Sequence, residues 1–242
     1  MTVAAIVQAR WGSSRLPGKT LERIGSKTAL AWCLDRCAAI PGVDVVVCAV
    51  PDTAINDPVA EEAARGGHQV TRGSEDDVLA RYVAAARQVE AQTVMRITSD
   101  CPFIDPAIAG RVLALSAEAG VDYACNNMPP AFPHGLDCDA FDAELLYEAD
   151  ALAWDRYDRE HVTPYIRRHA HITRASLTGP GGVFADLRWT LDYEEDLAFF
   201  RAVADALGPK AETATAAEIA ALCLRRPDLV AIKAERANPD RM

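Results

Sequence analysis

At 242 residues, half of them hydrophobic and a quarter charged, the chain has the length of one large α/β domain or two small ones and an ordinary globular composition. Its 25 Lys and Arg against 35 Asp and Glu leave a net charge of −10, which argues against nucleic acid or an anionic membrane as partner. Gln8 and Arg10 break the opening apolar run well short of the roughly 7–15 residues of a signal peptide's apolar core or the ~20 of a membrane span, so a cytoplasmic protein is expected.

The chain begins with an apolar run, Val3–Val7, that suits a buried strand. Leu30, Cys33, Leu34 and Cys37 then recur at helical spacing, and Pro41-Gly42 stops that helix. A second β-branched run covers Val43–Val50. Asp57-Pro58 predicts a helix start, with Asp as the cap, and Gly66-Gly67 its end. A third strand is expected at His68–Thr71. Ser74, with Asp77 three residues on, predicts the cap of a helix whose stripe is Val78, Leu79, Tyr82, Val83, Ala86 and Val89. A fourth strand, Thr93–Thr98, leads to a helix capped by Asp105 and ended near Gly120, and a fifth strand spans about Val121–Cys125.

From Asn126 the rhythm changes. NNMPPAFPHGLD reads as a loop. Helices follow near Asp142–Asp150 and Asp158–His169, strands near His171–Leu177 and Leu187–Leu191, and helices near Glu194–Leu207 and Thr215–Leu224. Strand–helix alternation with near-continuous apolar strands predicts a Rossmann-like, mostly parallel sheet with helices on both faces. The chain is expected to be a single domain, 1–242, carrying an insertion at about 126–186. The seven cysteines are odd in number and contain no Cys-x-x-Cys pair, so they are expected to be reduced, mostly buried thiols.

Ligands of such sheets bind beyond the carboxyl ends of the strands. After the first strand comes QARWGSSRLPGKTL, Gln8–Leu21. Gly12, Ser13, Ser14 and Gly18 allow main-chain N–H groups to approach phosphate oxygens, and Arg10, Arg15 and Lys19 add positive charge. This cationic focus on an acidic chain suits a small anionic ligand; a solvated basic face fits the charges equally well. After the fourth strand comes Asp100, where a carboxylate can share a metal with a nucleotide phosphate. Asp192, after LRWTL, is open to two readings: the partner of Asp100 or the cap of the following helix. His161 is read either as a packed residue or as part of an acceptor site, and Arg167, Arg168, His169 and His171 either as an anion-greeting cluster or as a basic helix end.

Six segments, QARWGSSRLPGK, RGSEDDVLARY, RITSDCPFIDP, HGLDCDAF, REHVTPYI and LRWTLDYEEDL, stand in the order found in SpsF-like cytidylyltransferases, and the match covers about residues 3–205. The chain thus resembles these spore-coat polysaccharide biosynthesis homologues of CMP-Kdo and CMP-acylneuraminate synthetases. The resemblance implies a nucleotide-diphospho-sugar-transferase (GT-A-like) fold, CTP as donor, and a small acidic acceptor. It implies Mg²⁺ held by Asp100 and Asp192, with Arg15 and Lys19 joining them as the catalytic set. Nucleotide contacts are implied for Gln8, Ala9, Arg10, Gly12, Ser13, Ser14 and Ser99, and for Arg72, Gly73, Ser74 and Asp76 near the cytosine and ribose. The acceptor side is placed at Asn126, His134, Asp137, Asp139, His161 and the EHVTP segment (Glu160–Pro164) that holds it, and a homodimer through the second half is suggested. Ser99 stands where the family more often has Gly, and His134 where an Asp often precedes Gly-Leu-Asp. Two other readings stay open. Asp137-Cys138-Asp139 is an Asp-x-Asp of the kind that metal-dependent glycosyltransferases use, and a non-catalytic nucleotide-binding subunit would keep the fold without turnover.

Overall fold

The computed structural model describes residues 1–234. Its strands are β1 (Val3–Gln8), β2 (Arg23–Ile24), β3 (Lys27–Thr28), β4 (Val45–Pro51), β5 (Gln69–Gly73), β6 (Thr93–Thr98), β7 (Tyr123–Cys125), β8 (Asp139–Asp142) and β9 (Arg174–Ser176). Its α-helices are α1 (Ala29–Ala38), α2 (Asp57–Arg65), α3 (Val78–Gln88), α4 (Pro106–Ala119), α5 (Ala143–Leu152), α6 (Arg156–His161), α7 (Pro164–Arg168), α8 (Gly182–Ala185), α9 (Glu194–Leu207), α10 (Ala216–Arg225) and α11 (Pro227–Ala231).

Seven strands form one sheet in the order β5-β4-β1-β6-β8-β7-β9. All neighbours are parallel except β8, which runs antiparallel to both β6 and β7. The chain winds outward from β1 through β4 to β5, then crosses back to place β6 on the other side of β1. The crevice beyond the ends of β1 and β6 is therefore the topological switch point of the sheet, where a ligand has room between diverging connections.

The central strands are apolar on both sides because helices cover both faces. In β1, Ala5 and Val7 enter one core while Ala4 and Ile6 enter the other. The first core gathers α1, α2, α4, α9 and α10 residues around Trp32, Phe103 and Phe200, whose rings meet edge to face at 5.5 and 4.9 Å. The second packs α3 and α5 on the opposite face, and Tyr82 there directs its hydroxyl to the carbonyls of Ile6 and Ile97.

The expected fold class and the elements of the first half are present, with local corrections. Asp77, not Ser74, caps α3 by accepting from the amide of Ala80, while Ser74 accepts from Asp77's own amide. Asp57 is the first residue of α2 rather than its cap, and its carboxylate pairs with Arg72. The helix expected over Asp158–His169 is two, because Pro164 lacks the N–H that a continuous helix needs and Val162 turns to φ 70°. Leu187–Leu191 is not a strand of the sheet; it is an extended segment that meets His134 through a single bridge. Strand β8 and the short β2–β3 hairpin escaped the sequence reading, since four and two residues are too few for periodicity to register.

Candidate active site

The ends of β1 and β6 open into a cleft of about 450 Å³. Gln8, Ala9, Arg10, Gly12, Ser13, Ser14, Arg15 and Lys19 line one side; Thr98, Ser99 and Asp100 form its floor and Asp192 closes it. On the far wall stand Asp76, Glu75 and Arg81 after β5, with Arg156, Glu160 and His161 of α6.

The glycine-rich opening loop is shaped by its own backbone and one buried neighbour. The Gly18 amide donates to Trp11's carbonyl at 2.9 Å, and Asn56, fully buried, accepts from the Trp11 amide at 2.7 Å. Gly18 holds φ 72°, and a Cβ there would press on the Trp11 ring at 3.2 Å, so the Leu-Pro-Gly-Lys turn needs its glycine. The turn feeds a single 3₁₀ turn whose first residue, Lys19, is thereby aimed into the cleft.

Asp100 and Asp192 lie 92 positions apart in the sequence, yet a backbone bond joins their segments: the Leu191 amide donates to Asp100's carbonyl at 2.8 Å. Lys19 Nζ sits between the two side chains, 3.5 Å from Asp100 Oδ2 and 2.9 Å from Asp192 Oδ1. Arg15 reaches the same Asp192 oxygen at 2.8 Å and lies over the Tyr193 ring, and Arg188 takes the other oxygen at 2.9 Å. Asp100 also accepts from the Thr98 hydroxyl at 2.6 Å.

Burial disfavours charge on each of these groups, and opposite charges win. Desolvation raises the Asp192 pKa, but Lys19, Arg15 and Arg188 hold it down to about 2. Asp100 is likewise depressed against its burial, chiefly by Lys19. The Lys19 ammonium is desolvated too, yet the two carboxylates raise it above its ordinary value. The site therefore presents ionised carboxylates and a fixed ammonium at neutral pH.

The capping alternative for Asp192 is not what the helix uses. Asp196 accepts from the amides of Asp192 and Tyr193 at 2.9 and 3.0 Å and pairs with Arg188, so the Asp192 carboxylate is left to face the cations. Behind this network Lys233 donates to Arg188's carbonyl and lies 3.8 Å from the Phe199 ring centroid; burial lowers its pKa to about 7.

A family model described as a cytidylyltransferase matches residues 4–202. The chain belongs to the cytidylyltransferase family. It is a CTP-dependent nucleotidyltransferase, and the glycosyltransferase and non-catalytic readings fall with that. Among its relatives is the spore coat polysaccharide biosynthesis protein SpsF of Bacillus subtilis, 32% identical over 92% of this chain and 94% of its own. A solved cytidylyltransferase from Leptospira borgpetersenii serovar Hardjo-bovis superposes with a TM-score of 0.87 at 27% identity, covering 95% of this chain and 97% of that one. A CMP:2-keto-3-deoxy-manno-octonic acid synthetase solved with CTP superposes at 0.64 over 85% of this chain and 99% of its own; at 18% identity that likeness shows the fold alone.

Other expected residues of this cytidylyltransferase lie outside the cleft. Arg72 is held by Asp52 and Asp57, and neither it nor Gly73 and Ser74 lines the cavity, although Arg81 grips the carbonyls of Ser74 and Glu75 from beneath. Asn126 is fully buried, bonded to the Leu136 carbonyl and the Cys138 amide, so it pins its own loop. Asp137 accepts from the Gly135 amide at 3.2 Å, with His134 3.8 Å away. Asp139 is buried beside Arg96 and Arg167 at 3.4 and 2.6 Å and beside the Tyr123 hydroxyl. The Asp-x-Asp is thus a loop brace followed by a sheet ion pair, not a cleft ligand set.

The Arg167–His171 cluster also disperses: Arg167 pairs with Asp139, Arg168 with Asp158, and both histidines turn toward Glu148. Of the acceptor-side residues His161 alone lines the cleft. Its ring lies tilted against Tyr157 at 4.4 Å, and it precedes Val162, whose φ of 70° and ψ of −56° close a γ-turn with the Thr163 amide donating to the His161 carbonyl at 2.8 Å. A β-branched residue at positive φ is strained, and the turn puts that strain beside the imidazole. Sequence reading missed Arg81 and Arg156; Glu75 fell within the Arg72–Asp76 segment and Glu160 within the EHVTP segment that it marked, and Arg156 shares α6 with the latter. Among the described residues no helix is long and apolar enough to cross a membrane, and all seven cysteines are free and buried.

Proposed function

We propose that this enzyme transfers CMP from CTP to a small acidic acceptor, releasing pyrophosphate, with Arg15, Lys19, Asp100 and Asp192 as its catalytic group. The observation that carries this reading is the Lys19 ammonium set between two ionised carboxylates at the mouth of the glycine-rich loop. In this reading the triphosphate lies along Gly12–Lys19, where Arg10 is exposed on the cleft wall and, among the described residues, forms no ion pair. Its oxygens compete with Asp100 and Asp192 for Lys19 and Arg15, so both cations move onto the leaving pyrophosphate as the carboxylates are released.

The donor set fits a hard divalent ion, because Asp100 and Asp192 offer ionised oxygens on one cleft wall. These two would hold Mg²⁺, which when bound neutralises charge developing on the phosphate oxygens. An acceptor oxygen attacks the α-phosphorus in line, so the chain need supply no nucleophile. Gln8 Oε1 and Arg81 Nε are buried at the cleft without a hydrogen-bond partner, which suits them to the edge of a base. Burial lowers the His161 pKa, so a neutral imidazole faces the acceptor and can accept a hydrogen bond from its hydroxyl. The acceptor and dimerisation roles proposed for 126–186 draw support from His161 and from Leu152, Trp154 and Tyr157, large apolar side chains exposed on that half.

The test is a pyrophosphate-release screen with CTP, UTP, ATP and GTP against sugar acids, sugar phosphates and phosphonates. Release with CTP and at least one acidic acceptor, lost in Lys19→Ala, supports the reading; turnover indifferent to Lys19 sinks it.

A further inference from the structure

Apart from the cleft, one cluster has the chemistry of a different metal. His169 ends α7, His171 lies two residues on before β9, and Glu148 faces them from the middle of α5. One ligand atom from each of the three falls within 4.8 Å of the others. His169 Nε2 is 4.0 Å from Glu148 Oε1, and the two imidazole centroids are 4.0 Å apart. The Tyr165 ring packs on His169 from the same helix at 5.1 Å, and Arg174 grips the His169 carbonyl, so the first imidazole stands on a held backbone.

A second, independent observation lies in the same ring. His169 Nδ1 is buried without a hydrogen-bond partner, and a buried polar atom left unmade costs free energy of about 1–3 kcal/mol. Whichever nitrogen binds, the His169 imidazole has lone-pair capacity that the protein does not use.

We propose that Glu148, His169 and His171 form a binding site for a borderline transition-metal ion of the Zn²⁺ class, separate from the Mg²⁺ chemistry of the cleft. Two imidazoles and a carboxylate are the donor set of such ions, whereas Mg²⁺ prefers oxygen ligands alone. Tetrahedral bonds of about 2.0–2.2 Å put ligand atoms roughly 3.3 Å apart. The present separations therefore need only side-chain rotations to close, and His171 and Glu148 are exposed enough to make them. The ion would bolt α5 to the α7–β9 connection. Helix α7 follows α6 directly after the break at Val162 and Thr163, and α6 supplies Arg156, Glu160 and His161 to the cleft. The clasp would thus steady the cleft's far wall from outside it.

The experiment titrates the full chain with Co²⁺ and with Zn²⁺ in the presence of excess Mg²⁺. One equivalent of Co²⁺ should give the intense visible absorption of a four-coordinate nitrogen–oxygen site, displaced by Zn²⁺ and not by Mg²⁺. His171→Ala, at an exposed position, should weaken binding on the order of tenfold or more, a loss that metal sites show even for outer partners of their ligands; Glu148→Gln should weaken it less. Circular dichroism of each variant checks that the fold is intact. Turnover with saturating Mg²⁺ should be unchanged in His171→Ala. Equal Co²⁺ affinity in the wild type and both single variants, or only the faint spectrum of an octahedral oxygen site, would overturn the proposal.

Discussion

Two buried aspartates in this enzyme wear similar collars of positive charge in different settings. Asp192 sits among Lys19, Arg15 and Arg188; Asp139 sits among Arg96, Arg167 and the Tyr123 hydroxyl. Both are depressed in pKa against their own desolvation by the cations around them. Around Asp192, however, Arg15 remains 45% exposed in its side chain and Lys19 opens to the cleft, so an entering anion can draw the cations away. Around Asp139 one partner is a cross-strand neighbour, Arg96 in the β6–β8 register, while Arg167 reaches in from α7, and the carboxylate is 1% exposed. The proposed division of labour, chemistry at Asp192 and architecture at Asp139, rests on whether the cations of each cluster have somewhere else to go.

The sharpest way to break that comparison is to neutralise each aspartate in turn. Asp139→Asn leaves Arg96 of the sheet and Arg167 of α7 without their buried counter-charge and should cost about 3–5 kcal/mol, read as a fall in the thermal midpoint of roughly 10 °C or more for a chain of this size. Turnover per folded molecule should survive; a stable but inactive Asp139→Asn would instead make this carboxylate part of the site. Asp100→Asn should do the reverse, cutting kcat on the order of a hundred- to a thousandfold with the midpoint barely moved. Wild-type kcat in that variant would end the case for a catalytic carboxylate pair.

Acid titration sharpens the comparison less drastically. The Asp192 pKa is lower folded than unfolded, so its stabilisation is present above the ordinary carboxylate value and is lost as pH falls through the folded value. With the folded pKa at about 2, roughly 2 kcal/mol should vanish between pH 4 and 2. Denaturant midpoints over that range for wild type and Asp192→Asn measure it. The variant should show a shallower slope, and parallel curves would contradict the assignment. The smallest effect is expected at Val162. Replacement by Gly relieves a positive-φ strain of about 1–3 kcal/mol, but it removes a fully buried side chain of the second core, worth about 1.5–3 kcal/mol, and adds backbone entropy cost of about 0.5–1 kcal/mol. Stability should fall by about 1 kcal/mol while KM for the acceptor increases as His161 loses its aim; an unchanged KM would detach the turn from acceptor binding.

The first half of the fold was readable because its signals are local. Apolar runs mark β1, β4 and β6, and the polar residues that follow β1 and β6 are the ones at the cleft. The second half was less readable because its polar residues find partners far away in sequence. Nothing near Asp139 announces that Arg96 and Arg167 will meet it, and nothing in NNMPP says that Asn126 will be spent on its own loop. Strand β8 is defined by what it pairs with rather than by its four residues. Gly135 shows the same limit: a Cβ there would lie 2.2 Å from the Trp189 carbonyl, a contact 54 positions away along the chain.

By itself the sequence determined the α/β layering, the cationic glycine-rich loop and the two acidic residues worth watching, since each follows from composition and periodicity within a dozen residues. Tertiary structure alone decided that Asp100 and Asp192 share Lys19, that α9 is capped at Tyr193 with Asp196 completing the box rather than by Asp192, and that the Asp-x-Asp braces a loop and the sheet. A carboxylate's role depends on which cation is held within about 3 Å and whether water or a ligand can reach it, and only the folded chain sets those distances.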